Sequence, residues 1–207
     1  MKLVVVGGQA RKVGKTSVIA GLIRGLKVFA WTAVKISYHA ADVDAQDAQA
    51  ADELPAHLDF LLSEESNPQG RGDTSLYLAA GARRALWLRA RGDGLSRALP
   101  SLLRALGGDE HVIVESTSLP GLLKPAVFLM VIDKSCGHVK ASAGQFLAGA
   151  DAFVTVRRGP APCARPAMGV EVPKDKPIFP VSAGEWSNPD LFRFVRERLA
   201  SIRSADL

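Results

Sequence analysis

The sequence predicts an α/β fold in three layers, with a mostly parallel, Rossmann-like central sheet of about seven strands and helices on both faces. Short apolar runs typical of buried strands alternate along the chain with segments of helical periodicity. The chain has 207 residues, of which 47% are hydrophobic and 23% charged, as in an ordinary globular protein. Neither a repeat nor a long linker interrupts it, so we expect one domain over 1–207.

The individual elements follow in order. Apolar runs predict seven strands, at 3–6, 31–37, 84–89, 112–115, 127–132, 152–156 and 178–181. Helical spacing predicts helices at 14–26, 73–82, 95–106, 141–147 and 188–202. Asn188 is the expected N-cap of the last helix and Pro189 its first residue, while Asp73 or Thr74 should cap the second helix.

The segment 38–71 is rich in Ala, Asp and Gln and has no strand character. We expect an insertion at the C-terminal edge of the sheet, where open α/β folds bind ligands. Within it, 41–51 is expected to be a mobile loop and 56–62 a short helix. Its acidic residues favour a solvated loop over a cation site; they are Asp42, Asp44, Asp47 and Asp52.

The most specific motif is Gly8-Gln-Ala-Arg-Lys-Val-Gly-Lys-Thr16, which lies between the first predicted strand and the first helix. Glycine lets the backbone approach a phosphate closely, and the loop N–H groups and the helix N-terminus attract the anion. The motif predicts a phosphate-binding loop, although five residues separate its glycines where four are usual. The expected nucleotide-binding residues are Gly8, Arg11, Lys12, Val13, Gly14, Lys15, Thr16 and Ser17.

Two acidic residues complete the predicted chemistry of this loop. Glu115 ends an apolar strand and is followed by Ser116-Thr117-Ser118, as in a Walker B strand, and Asp73 stands at the start of a helix. Because Mg²⁺ prefers oxygen ligands, we expect Thr16, Asp73 and Glu115 to bind it. Lys15 should reach the β- and γ-phosphates of the nucleotide.

Lys35 lies near the end of the second strand, which we expect beside the first, and is predicted to face the γ-phosphate or a substrate anion. The expected catalytic set is therefore Lys15, Lys35 and Glu115. His39 is a weaker candidate for ligand contact. No N-K-x-D motif stands where a guanine-reading motif belongs, so ATP and GTP both remain open.

Charge and composition limit the classes of molecule that we expect the protein to bind and where we expect it to be found. The net charge of +5 comes with few aromatic residues, so an anionic small ligand is favoured over nucleic acid. No apolar stretch approaches the ~20 residues of a membrane span, and the first strand leaves no room for a signal peptide, which favours a cytoplasmic protein. The two cysteines are expected to be reduced thiols; Cys136, His138 and Cys163 form a weak soft-metal pattern.

Taken together, these motifs resemble the SIMIBI branch of the P-loop NTPases. The layout is similar to the molybdopterin-guanine dinucleotide biosynthesis protein B family, with matches at Val34-Lys35 with His39, Asp73-Thr74 with Ala80-Gly81-Ala82, Val114-Glu115 and the closing stretch 177–182. The phosphate loop itself is similar to dethiobiotin synthetase and the cobyrinic or cobyric acid amide-forming enzymes. Where other SIMIBI members carry a signature lysine for catalysis completed in a dimer, this chain has Ala10.

The resemblance implies Mg²⁺-dependent binding and hydrolysis of ATP or GTP in support of cofactor biosynthesis of the molybdopterin-guanine dinucleotide type. It also implies a cofactor-biosynthesis protein as partner and a homodimer as an assembly to be tested. Two alternatives stay open. One is an ATP-dependent ligase of the dethiobiotin or cobyrinate amide type, and the other is a non-catalytic, nucleotide-gated metallochaperone with Cys136 and His138 at its metal site.

Overall fold

The protein is described by a computed structural model, which covers residues 1–39, 54–55, 57–133, 141–158 and 172–202. The strands are β1 Lys2–Gly8, β2 Thr32–His39, β3 Phe60–Glu65, β4 Arg84–Arg91, β5 His111–Glu115, β6 Val127–Asp133, β7 Ala152–Arg157 and β8 Ile178–Ser182. The helices are α1 Lys15–Gly25, α2 Asp73–Ala79, α3 Gly94–Ala105, α4 Ala141–Phe146 and α5 Pro189–Ser201.

These strands form one sheet in the order β3-β4-β2-β5-β1-β6-β7-β8. Every neighbouring pair is parallel except β3 and β4. The predicted α/β fold with a mostly parallel sheet is confirmed, with eight strands in the described residues where about seven were expected. The order corrects one expectation, because β5 lies between β1 and β2. Strand order depends on how the crossover helices pack, which no local pattern records.

Side chains of β1 alternate between the two faces of the sheet. Val4 and Val6 pack with α1, α2 and α5, whereas Leu3 and Val5 pack with α3 on the opposite face. Both cores are made mainly of buried aliphatic side chains, joined by Trp31 and Tyr77 on one face and by Phe128 and Phe153 on the other, so the sheet is the middle of three layers. No helix in the described ranges is long and apolar enough to cross a membrane.

The edge strand β3 lies where the sequence predicted an insertion without strand character and a helix at 56–62. Phe60–Glu65 instead pairs antiparallel with β4, with Ser63 opposite Trp87. The expectation was wrong because Ser and Glu have low strand propensity, and pairing with β4 outweighs it. On this edge Arg84 forms a bidentate ion pair with Glu64, with both N···O distances 2.9 Å. The predicted loop at 41–51 and the four acidic residues between 42 and 52 lie outside the described residues.

Of the two helix N-caps predicted from the sequence, the structure confirms the one of α5 and contradicts the one of α2. Asn188 caps α5 as predicted, since its Oδ1 accepts the Leu191 N–H at 3.0 Å. The N-cap of α2 is Gly72, so Asp73 and Thr74 belong to the first helical turn and neither is the cap. Asp73 therefore does not cap the helix, and its carboxylate contacts Lys35 on β2 instead.

Close packing of α1 against the chain after β8 predicts a large effect of one small substitution. A Cβ at Gly21 would stand 1.9 Å from the carbonyl oxygen of Trp186, so Gly21→Ala must push these segments apart. We expect this overpacking to lower the free energy of unfolding by about 1–3 kcal/mol in urea denaturation. The control is Gly144→Ala in α4, where nothing lies within 4 Å of the added methyl group and stability should hold or rise. Equal denaturation midpoints for Gly21→Ala and the wild type would contradict this packing.

Candidate functional site

The loop between β1 and α1 ends at a helix N-terminus that no side chain caps. Gly14 is the N-cap, in the left-handed region at φ 100°, and Lys15, Thr16 and Ser17 form the first turn of α1. The first N–H groups of a helix have no partner within it and carry partial positive charge. Gly14, Lys15, Thr16 and Ser17 line the main cavity of the described structure, so these donors border it.

Glycine is required at both ends of this loop for different reasons. At Gly14 the positive φ strains any other residue, and a Cβ would come within 2.7 Å of the Trp186 indole. At Gly8 a Cβ would come within 2.8 Å of Val13 and 2.9 Å of Lys15. The backbone of the loop is thus packed closely around its own side chains, with Val13 buried and Arg11 and Lys12 exposed.

Five predicted site residues meet beside this loop. Thr16 donates its hydroxyl to Glu115 Oε2 at 2.8 Å. Lys35 Nζ lies 2.8 Å from Glu115 Oε1 and 2.7 Å from Asp73 Oδ2, so its ammonium bridges the two carboxylates. Lys15 Nζ is 3.9 Å from Glu115 Oε1 and donates to the Ala10 carbonyl at 3.2 Å. Residues from β2, α2, β5 and α1 therefore share one charged cluster, which we call the Glu115 cluster.

Tyr77 is the sixth member of the Glu115 cluster, and the residues predicted from the sequence did not include it. Its fully buried ring lies one helical turn after Asp73, and its hydroxyl donates to Glu115 Oε2 at 2.5 Å. The spacing from Asp73 is a signal that could have found it, because residues i and i+4 share a helix face. Tyr77 and Thr16 together fix one oxygen of Glu115, while Lys35 holds the other.

The electrostatics of the Glu115 cluster favour the charged forms of Glu115 and Lys35. Burial raises the pKa of Glu115, but the ammonium groups of Lys35 and Lys15 outweigh burial, so this pKa lies below its ordinary value. Burial likewise lowers the pKa of Lys35, yet Glu115 and Asp73 outweigh it and the pKa is raised. Burial and the Glu115 carboxylate hold the pKa of Tyr77 well above its ordinary value, so its phenol remains a donor.

The donor set suits Mg²⁺. Two carboxylates and a hydroxyl are oxygen ligands, and Mg²⁺ in nucleotide sites is held by one or two carboxylates together with phosphate oxygens. The Glu115 and Asp73 carboxylates already face one cation, the Lys35 ammonium, within 2.8 Å. Among the described residues, no group of three or more His, Cys, Asp or Glu side chains is arranged to hold a metal ion.

Further side chains join neighbouring strand ends to the phosphate-binding loop. Arg158, just after β7, donates to Asp133 Oδ2 at 2.5 Å and to the Lys12 carbonyl at 2.7 Å. Thr117, after β5, accepts the Gly8 N–H at 3.3 Å through its Oγ1. Trp186, after β8, packs on Gly14. Sequence reasoning gave no role to Arg158 or Trp186, because their contacts with the loop span more than 140 residues.

The cavity above these groups measures about 970 Å³. This volume is at the upper end of the roughly 300–1,000 Å³ range of small-molecule sites. The cavity runs from the phosphate-binding loop, past Lys35 and Glu115, to Trp87 on β4. The His39 side chain and the candidates Cys136, His138 and Cys163 lie outside what the structure describes.

A scan against protein-family models gave no match, and neither did a search of curated proteins. Among solved structures, the chain is similar to HypB from Helicobacter pylori, solved in complex with nickel, at 13% identity and a TM-score of 0.50, with 95% of this chain and 86% of that chain covered. It also resembles LpxK from Aquifex aeolicus, solved with ATP, at 16% identity and a TM-score of 0.47, with 87% and 53% covered. The likeness to HypB supports the α/β fold of P-loop NTPases for this chain.

Proposed function

We propose that this protein binds a nucleoside triphosphate with Mg²⁺ and hydrolyses its terminal phosphate. The observation that carries the proposal is the convergence of Thr16, Lys35, Asp73 and Glu115 beside an uncapped helix N-terminus. An anion at that N-terminus would accept the first-turn N–H groups of α1, with Lys15 beside it. Bound Mg²⁺ would supply charge neutralisation for the β- and γ-phosphates, held by Thr16, Asp73 and Glu115.

In this proposal Lys35 has a second role. Its ammonium neutralises Glu115 and Asp73 in the absence of a metal ion. Asp73 and Glu115 would hold a bound divalent cation in its place, and the Lys35 ammonium would then be available to pair with the terminal phosphate. Tyr77 and Thr16 meanwhile keep Glu115 in place from the protein side. The result is positive charge where the phosphoryl group gains negative charge in the transition state.

Glu115→Gln tests this proposal. We expect it to retain nucleotide affinity but to lower Mg²⁺-dependent phosphate release by about 10- to 100-fold, since a neutral amide holds the metal poorly. Nucleotide affinity is measured by calorimetry with ATP and with GTP, and turnover by phosphate release over a Mg²⁺ titration.

The matched control is Glu197→Gln on the exposed face of α5, which should behave as the wild type. Undiminished turnover of Glu115→Gln at low Mg²⁺ would remove Glu115 from the site. A thermal-shift screen of nucleotides, with and without Mg²⁺, identifies the base, because a bound ligand raises the unfolding temperature by mass action.

We further propose that turnover supports cofactor biosynthesis of the molybdopterin-guanine dinucleotide type. Support comes from the sequence resemblance at Val34-Lys35, Asp73-Thr74 and Val114-Glu115. Slow hydrolysis by the protein alone, accelerated by a partner protein of that pathway, is the expected behaviour. The ligase alternative is favoured by one observation, the length of the cavity beyond Lys35, which leaves room for a second substrate.

A further inference from the structure

The end of the cavity farthest from the phosphate-binding loop is built on β2 and β4. Trp87 lies directly opposite Lys35 in the parallel register of these strands, so the two side chains stand on the same face of the sheet. Ser37 and Tyr38 of β2 and Leu76 of α2 line the same end. Lys35 thus separates this end, which we call the Trp87 site, from the phosphate-binding loop.

The indole of Trp87 is held in place by its neighbours. Its Nε1–H donates to Ser37 Oγ at 3.0 Å, and the Arg89 guanidinium stacks 4.3 Å from the ring centroid. Arg89 in turn donates to Ser63 Oγ at 3.0 Å. A ring fixed in this way is preorganised, so little side-chain entropy is lost when a ligand stacks on it.

The Trp87 site is not part of the hydrophobic core. Trp87 is half-buried and belongs to neither of the two core clusters, although its strand neighbours Leu86 and Leu88 do. Leu76 is 39% exposed toward the solvent. Apolar and aromatic surface that lines a cavity instead of packing on a helix is typical of a ligand site.

The charge at this end is positive. Arg71 lines the same cavity from the exposed turn before α2, and the Lys35 ammonium stands at the boundary of the Trp87 site. Asp73 is the acidic residue nearest in the chain, and it is neutralised by Lys35 at 2.7 Å. A ligand is therefore expected to present an anionic group toward Arg71 and a flat surface toward Trp87.

We propose that the Trp87 site binds a second small molecule, with a planar ring system that carries an anionic group such as a carboxylate. The ring lies against Trp87 and Leu76, and the anionic group pairs with Arg71. The role of this molecule as a second substrate rests on the proposed nucleotide function, because Lys35 would lie between it and the terminal phosphate. Its binding does not depend on that function.

The test measures binding of the probe 2-naphthoate to the whole 207-residue chain by isothermal titration calorimetry. Two comparison compounds separate the contributions: 2-naphthalenemethanol keeps the ring without the charge, and cyclohexanecarboxylate keeps the charge without the planar ring. We expect 2-naphthoate to bind at least tenfold more tightly than either. Trp87→Leu and Arg71→Gln should each weaken it at least fivefold, while the exposed control Arg104→Gln should not change it.

One further variant decides where the probe binds. Lys15→Ala should bind 2-naphthoate as the wild type does; loss of binding there would place the probe on the phosphate-binding loop and overturn the proposal. Equal affinity for the neutral compound, or unchanged affinity in Arg71→Gln, would also overturn it. Arg71 lies on an exposed turn, so that variant answers the question even where Trp87→Leu fails to fold. Probe binding without any nucleotide binding would refute the proposed function and leave the Trp87 site standing.

Discussion

Lys15→Ala should weaken Mg²⁺-nucleotide affinity by roughly a hundredfold or more while the protein stays folded. The Lys15 ammonium lies at the uncapped start of α1, 3.9 Å from Glu115, and lines the cavity. Hydrogen bonds to charged groups contribute about 1.5–3 kcal/mol, and a bound triphosphate would receive more than one from this side chain. Calorimetric titration with ATP and GTP in the presence of Mg²⁺ measures the loss.

The fold should tolerate this change because Lys15 is partly exposed, belongs to neither hydrophobic core, and donates a hydrogen bond to the Ala10 carbonyl within the loop itself. Circular dichroism and the thermal midpoint of the variant check this directly. Arg24→Ala, an exposed cation in the last turn of the same helix, is the matched control and should keep wild-type affinity. Unchanged nucleotide affinity in folded Lys15→Ala would end the assignment of 8–16 as a phosphate-binding loop.

Lys35→Met is expected to have the largest effect on stability, with a loss of about 3 kcal/mol at pH 7 in the absence of nucleotide and metal. The substitution removes the cation that bridges Glu115 and Asp73 and leaves the Glu115 carboxylate buried, with Lys15 as its remaining cation at 3.9 Å. Leaving one partner of a buried ion pair uncompensated costs about 3–5 kcal/mol. Urea denaturation in EDTA gives the difference in free energy of unfolding.

The pH dependence of this loss has a definite sign. In the wild type the pKa of Glu115 is lowered in the folded state, so its contribution to stability is present above about pH 4.5 and disappears as the pH falls through the folded-state pKa. The pKa of Lys35 is raised, so its contribution is present below about pH 10.5 and disappears as the pH rises through the folded-state pKa. Between these limits the pair is fully charged.

In Lys35→Met, burial should dominate and raise the pKa of Glu115, so folding of the variant is favoured by protonation. The difference in stability should therefore grow as the pH rises from about 4.5 to 7. A difference that is constant over this range would contradict the assigned ion pair. The double variant Lys35→Met/Glu115→Gln should recover part of the loss, and exposed Lys174→Met is the matched control.

Local sequence determined the glycine-bounded loop 8–16 and the elements around it. The run from Gly8 to Thr16, the apolar strands and the Asn188 cap depend on contacts between residues near in sequence, and the structure has the loop, those strands and that cap where predicted. Glu115 stands at the C-terminal end of β5, where the ends of parallel strands meet at one edge of the sheet, and Asp73 in the first turn of α2 contacts the same lysine, Lys35. Their roles as metal ligands stay a proposal.

The tertiary structure decided how those groups are arranged. β5 lies between β1 and β2, and this order sets Lys35 directly opposite Glu115. On the other side of β2, the register with β4 places Trp87 opposite Lys35. Neither pairing can be read from the chain, because each depends on contacts between strands more than 50 residues apart. The edge strand β3 also depends on a distant contact, because pairing with β4, and not its own composition, makes this segment a strand. The sequence by itself therefore determined the α/β class and the loop between β1 and α1, whereas strand order and register decided which side chains meet Glu115 and what borders Lys35.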